Sequence, residues 1–229
     1  MFELLSPYEL MVGLLTVLWI GLFIYERELR VEMLALGLLG IFLLPLSFTI
    51  LQNTDVADGF TNLAFTDLLF TYAIASLSGI LFHAVLGKHY HLLPSKKRKE
   101  SEDSLAQWWL IRLLLSILFF VWITLLLNLA FGMTLAGSVF VAAAMLTIYI
   151  VSHRHDLLYD AIASALLTAF VVFLAGELAA LFTGVPISIS IIETSGSIGS
   201  VPTDLLLWSL GVGLLLGPLY EYVRRFQLK

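Results

Sequence analysis

Apolar runs long enough to cross a bilayer recur along this chain, and the Lys and Arg between them dictate how they are threaded. A spanning helix needs roughly 20 apolar residues. Such runs cover Tyr8–Tyr25, Met33–Leu51, Asp67–Leu86, Trp108–Ala130, Met133–Val151, Leu157–Thr183 and Thr203–Tyr222. Only Phe131-Gly-Met-Thr134 divides the fourth from the fifth. Gly132 is a suitable helix end there, because one helix through both runs would far exceed the bilayer. With seven spans and the N-terminus outside, the loops of one side hold Arg27, Arg30, Lys88, Lys96, Lys97, Arg98, Lys99, Arg112, Arg154, Arg224, Arg225 and Lys229. Those are all 12 cationic residues. Asp and Glu divide almost evenly, and orientation follows the cations rather than the acids. The reading is an all-α integral membrane protein of seven transmembrane helices, N-terminus outside and C-terminus inside. It is expected in the plasma membrane, or in the inner membrane of a cell with two.

Composition agrees: 60% of residues are hydrophobic, 13% are charged, and the mean hydropathy is +0.98. A soluble domain is far less apolar. No basic stretch precedes the first run and no small-residue cleavage site follows it, so it reads as a retained span. Cysteine is absent, which excludes disulfides and thiolate metal sites.

Thr66-Asp67-Leu-Leu opens the third span and Thr203-Asp204-Leu-Leu opens the seventh. The turns Arg27-Glu-Leu-Arg-Val-Glu32 and Arg154-His-Asp-Leu-Leu-Tyr-Asp160 echo each other as well. Spans 1–3 and 5–7 then form a 3+1+3 parallel pseudo-repeat, with span 4 as the inversion linker. The expected division is a first half over 1–90, a charged cytoplasmic linker over 91–104, a linker helix over 105–132 and a second half over 133–229. The linker's Lys and Arg suit topology and attraction to anionic headgroups; no nucleic-acid partner is implied. Ile187-Ser-Ile-Ser-Ile-Ile192 reads as a short strand or a segment lying against the membrane.

Asp67 and Asp204 are the first candidate site residues. Their plain account is capping, with Thr66 and Thr203 as N-caps and each Asp facing the positive helix end. The functional account places both carboxyls in one cavity between the halves, where a sheltered acid can protonate a substrate. Glu177 sits inside the sixth span, and an ionisable group there is a functional candidate. Otherwise it reaches the outer interface. Asn128 is a further polar candidate. Glu9 reads as part of a capping box, Ser6-Pro-Tyr-Glu9. The pairs His89-Tyr-His91 and His153-Arg-His155, with His83 nearby, lie at solvated basic loops, so no metal site is assigned to them. Gly213-x-x-x-Gly217 is a helix-packing face and not a dinucleotide loop.

The segments Phe65-Thr-Asp67-Leu-Leu-Phe and Pro202-Thr-Asp204-Leu-Leu-Leu-Trp, with the ending Gly217-Pro-Leu-Tyr-Glu-Tyr222, resemble the small two-half membrane lycopene cyclases of the heterodimeric or tripartite type. That family opens a helix in each half with Pro-x-Glu-Glu or Pro-x-Glu-Asp. Here each acid is Asp, Leu68 and Leu205 stand where the second acid would be, and the first half lacks the proline, as in a divergent member. The resemblance implies cofactor-independent cyclisation of a polyene or isoprenoid end group. Asp67 and Asp204 would serve as acid and base, Glu177 would support them, and Trp208 and Tyr72 would shield a cation through their ring faces. The implied partners are membrane lipid and a hydrophobic isoprenoid or carotenoid, with oligomers possible. Two rivals stand beside it. One is a small-solute carrier of 3+1+3 architecture, disfavoured because the acids gather at one interface. The other is a non-catalytic lipid-binding scaffold.

Overall fold

The computed structural model describes residues 6–51, 65–86, 90–92, 105–187, 196–224 and 226–228. Within these, seven long helices run α1 Pro7–Tyr25, α2 Arg30–Leu51, α3 Phe65–Leu86, α4 Leu105–Phe131, α5 Leu135–His153, α6 Leu158–Thr183 and α7 Thr203–Arg224. Among the described residues, six helices, α1 and α3 to α7, are long and apolar enough to cross a membrane. The protein is therefore a helical, membrane-embedded molecule. Its surface agrees: Val17, Leu118, Ile148 and Leu166 point outward, while Ser76, Ser78, Ser164, Thr168 and Ser209 are buried. Lipid has no use for backbone or side-chain polar groups, so they turn toward neighbouring helices.

Local chemistry sets the helix ends. Ser6 and Glu9 form the expected capping box, with the Ser6 N–H donating to Glu9 at 2.8 Å and the Glu9 N–H to Ser6 Oγ at 3.2 Å. At the far end of α1, Arg30 donates to the Phe23 and Ile24 carbonyls and lies over the Phe23 ring. Those carbonyls are among the last four of the helix, which have no partner within it. Gly132 does end α4, with a φ of 63° and its N–H on the Asn128 carbonyl at 3.0 Å. Thr134 then caps α5, two residues later than the apolar pattern suggests, accepting the Gly137 N–H at 3.2 Å. A side chain other than glycine in the left-handed region costs about 1–2 kcal/mol. Gly132→Ala is expected to lower stability by that amount in a reversible detergent-unfolding titration. An unchanged midpoint would mean that the turn relaxes freely.

Small residues let the helices approach closely, as is common in membranes. On α2, Gly37 faces Tyr72 and Ser76 of α3, and Gly40 faces Ala75. On α7, Gly213 faces Ala165, Ser164 and Thr168 of α6, and Gly217 faces Ser164. The expected packing face is thus in use. Pro218, inside α7, has no N–H to give the Leu214 carbonyl four residues earlier. Thr147 of α5 donates its hydroxyl to that carbonyl instead, at 2.8 Å.

Two short antiparallel strand pairs complete the described fold. β1 (Tyr90–Leu92), just beyond α3, pairs with β4 (Phe226–Leu228), just beyond α7. β2 (Ser197–Ile198) and β3 (Val201–Pro202) form a hairpin leading into α7. Most of the alternating run 187–192 lies outside the described residues; Ile187 itself is buried and donates its N–H to the Ser200 carbonyl.

Candidate functional site

The heads of α3 and α7 meet where the two Thr-Asp motifs stand. Asp204 is buried at 4% exposure in the first turn of α7. Asp67 is half-buried in the first turn of α3 and accepts the Tyr8 hydroxyl at 2.8 Å. Thr203 is the first helical residue and not an N-cap acceptor: its N–H and hydroxyl both donate to the Gly196 carbonyl. Thr66 likewise falls inside α3, which begins at Phe65. The capping roles expected of these two threonines do not form, because each helix starts one residue or more earlier than such a cap requires.

One turn further in, Trp208 stacks on Phe70 with ring centroids 5.6 Å apart and planes 19° apart. Tyr8 meets the other side of the same junction, its ring edge-on to Phe70 at 5.7 Å. Tyr72 points elsewhere, packing edge-on against Trp19 at 5.3 Å and beside Gly37. The aromatic partner of Trp208 is therefore Phe70, which sequence reading passed over. Phe70 is three residues after Asp67 and Trp208 four after Asp204, the spacings that share a helix face; that was the available signal.

Glu177 and Asn128 hold turns. Glu177 Oε1 accepts the Ser200 N–H at 2.6 Å, and Gly199, with a φ of 61°, leaves room for that carboxylate. Its contact fixes the hairpin that delivers the chain into α7. The Asn128 amide donates to the Met133 carbonyl at 2.9 Å, bracing the α4–α5 turn.

A second group of polar residues gathers at the opposite, basic end, where α2 and α6 begin and α3 and α7 finish. Glu32, His83, Asp160 and Glu221 are buried there at 1%, 3%, 0% and 0% exposure. His83 Nε2 lies 2.6 Å from Glu221 Oε1. One ligand atom from each of Glu32, His83 and Glu221 falls within 4.8 Å of the others. Asp160 Oδ1 accepts the Ser164 hydroxyl at 3.1 Å. Arg154 pairs with Asp156 and donates to the Glu221 main-chain carbonyl at 3.2 Å. This arrangement corrects the expectation that the acids gather at one interface: three are buried at the other. Of the paired histidines, His153 and His155 stand outside this group. Both are exposed, and the His153 ring contacts Tyr149 and Ser152 of its own helix.

The clue lay in the echo between the basic turns. Glu32 is the third residue of α2 and Asp160 the third of α6. His83 follows Gly79 by four residues, as Glu221 follows Gly217. Chemically, the heads of α3 and α7 each offer a carboxyl about one turn from the Trp208–Phe70 stack, and the basic end offers an imidazole among three carboxyls.

A cleft of about 460 Å³ opens between α4, α5 and α7, with Leu115, Phe119, Trp122, Leu146, Arg112 and Tyr222 among its walls. None of the candidate site residues Asp67, Asp204, Glu177, Trp208, Tyr72 and Asn128 lines it. Compared with protein-family models, with curated proteins and with solved structures, the chain matches none.

Proposed function

We propose that the chain is a seven-span protein of two parallel three-helix halves, N-terminus outside, that isomerises a polyene or isoprenoid end group by acid–base chemistry. The resemblance of its Thr-Asp motifs to lycopene cyclases suggests the reaction. The observation that supports it best is the α3–α7 junction, where a buried Asp204 stands one turn from the Trp208–Phe70 stack. Matching positions of Glu32 with Asp160 and of His83 with Glu221 support the two-half arrangement.

In this reading Asp204 gives its proton to the terminal alkene carbon of a linear polyene. The resulting cation closes onto a neighbouring double bond, with the aromatic faces sheltering its charge. Asp67, oriented by Tyr8, removes a ring proton, so the product is an isomer of the substrate and no cofactor enters. A positioned acid of this kind contributes about 10²–10⁴-fold in rate. Expression in a lycopene-accumulating host should yield cyclised pigment. Asp204→Asn should abolish it while the protein remains in the membrane. Unaltered lycopene beside abundant wild-type protein would defeat the proposal.

The carrier is the second reading, favoured by one observation: buried Glu32, His83, Asp160 and Glu221 come from helices of both proposed halves. Intramembrane ionisable groups often mark ion or proton routes. Solute uptake by reconstituted liposomes, with no pigment change in the host, would select it.

A further inference from the structure

We infer that Glu32, His83 and Glu221, with Asp160 beside them, form a binding site for one first-row divalent cation such as Zn²⁺ or Mn²⁺. The site is independent of the proposed cyclisation and lies at the other end of the helices. Four independent features support it.

The first is convergence. Three potential ligand atoms from α2, α3 and α7 lie within 4.8 Å of one another, close enough that small side-chain rotations would place each roughly 2.0–2.2 Å from one shared ion. The second is donor type. One imidazole among carboxylates suits Zn²⁺, Mn²⁺ or Fe²⁺ better than Mg²⁺ or Ca²⁺, which favour oxygen alone.

The third is Asp160. Its Oδ1 accepts the Ser164 hydroxyl, while its Oδ2 is buried with no hydrogen-bond partner among the described residues. The Asp160 carboxyl also lies within electrostatic range of Glu221. A buried oxygen without a donor is costly, and a cation held by its neighbours supplies what it lacks. Ser164 then acts from behind, orienting the carboxylate as partners of metal ligands commonly do.

The fourth is position along the helices. Glu221 stands in the last turn of α7, where the negative end of the helix disfavours a carboxylate and favours a cation. His83 stands in the last turn of α3. Glu32 and Asp160 stand in the first turns of α2 and α6, so acids and imidazole from four helix ends converge on one point. Without the cation, the short His83–Glu221 hydrogen bond bridges two of the ligands; metal binding exchanges that proton for the ion.

The test uses the intact protein in detergent, stripped with a chelator and then titrated with Zn²⁺ or Mn²⁺. One ion per chain should survive dialysis, and the melting temperature should rise with Zn²⁺ or Mn²⁺ but not with Mg²⁺. Glu32→Gln and Asp160→Asn preserve side-chain volume, so they should fold. Each should weaken binding tenfold or more. A His153→Ala/His155→Ala double variant should bind as wild type does. The inference is overturned if folded wild type retains no ion and its melting is insensitive to Zn²⁺ and Mn²⁺. It is equally overturned if Glu32→Gln and Asp160→Asn bind as tightly as wild type. Metal content is read without reference to pigment, so this result and that of the cyclisation test are separable.

Discussion

Gly213→Leu is expected to leave little folded protein in the membrane. A Cβ at Gly213 would lie 2.7 Å from both Ala165 Cα and the Ser164 carbonyl oxygen, and 2.9 Å from Thr168 Oγ1. Two of those atoms are backbone, so no rotamer change relieves the clash. The helices α6 and α7 must part, and parting them also strips Gly217 from Ser164 one turn away. Overpacking by one or two methylenes costs about 1–3 kcal/mol in a well-packed core. A leucine against immovable backbone should exceed about 3 kcal/mol, with Gly213→Ala falling between it and wild type. Gly13→Leu and Gly21→Leu are the controls: a Cβ at either position meets nothing within 4 Å. Those changes should be neutral or slightly stabilising, since leucine favours helix by up to about 1 kcal/mol over glycine. Membrane yield and detergent-unfolding midpoints for the three leucine variants would measure this. If all three behave alike, the close α6–α7 approach is wrong.

His83→Leu, measured with chelator present, should destabilise by about 1–3 kcal/mol, the usual result of removing one partner from a buried hydrogen bond. Glu221 then loses its 2.6 Å contact while staying in the core. Adding Glu221→Leu should recover much of the loss, because two apolar side chains in lipid-embedded protein need no partner. The sign of that recovery is the decisive measurement. If the double variant is less stable than His83→Leu alone, the pair is not an isolated unit, and Glu221 must be anchored mainly by other groups.

Much of the fold is legible in single residues because lipid is a strict solvent. Apolar length marks the helices, Ser6-Pro-Tyr-Glu9 marks the first start, and Gly132 marks the break between α4 and α5. These features act locally, so no tertiary knowledge is needed. Gly213 and Gly217 could be read as a packing face for the same reason. Which helix they face could not. A helix that is apolar all round gives no stripe from which to read its rotation, and rotation decides which side chains meet. Hence Trp208 was legible as a residue near Asp204, but its stacking on Phe70 was not.

The basic-end cluster was hidden for a related reason. Taken singly, Glu32 and Asp160 look like ordinary first-turn acids, and Glu221 looks like one charge beside a cytoplasmic tail. Only convergence of four helix ends gives them meaning. Conversely, Glu177 stood out as a charge within an apolar run, yet it serves the Gly199–Ser200 turn. An anomaly in one dimension can be ordinary in three.

The short ladder between β1 and β4 joins the tail of α3 to the tail of α7, matching Tyr90 to Leu228, His91 to Gln227 and Leu92 to Phe226. It works as a drawstring across one mouth of the molecule. Swinging the two helices apart there means unzipping backbone pairing, whereas among the described residues the other mouth carries a hairpin belonging to α7's own lead-in. Any breathing motion that admits a guest should accordingly pivot about the tied mouth, and clipping the chain after Arg224 should turn a hinge into a free end.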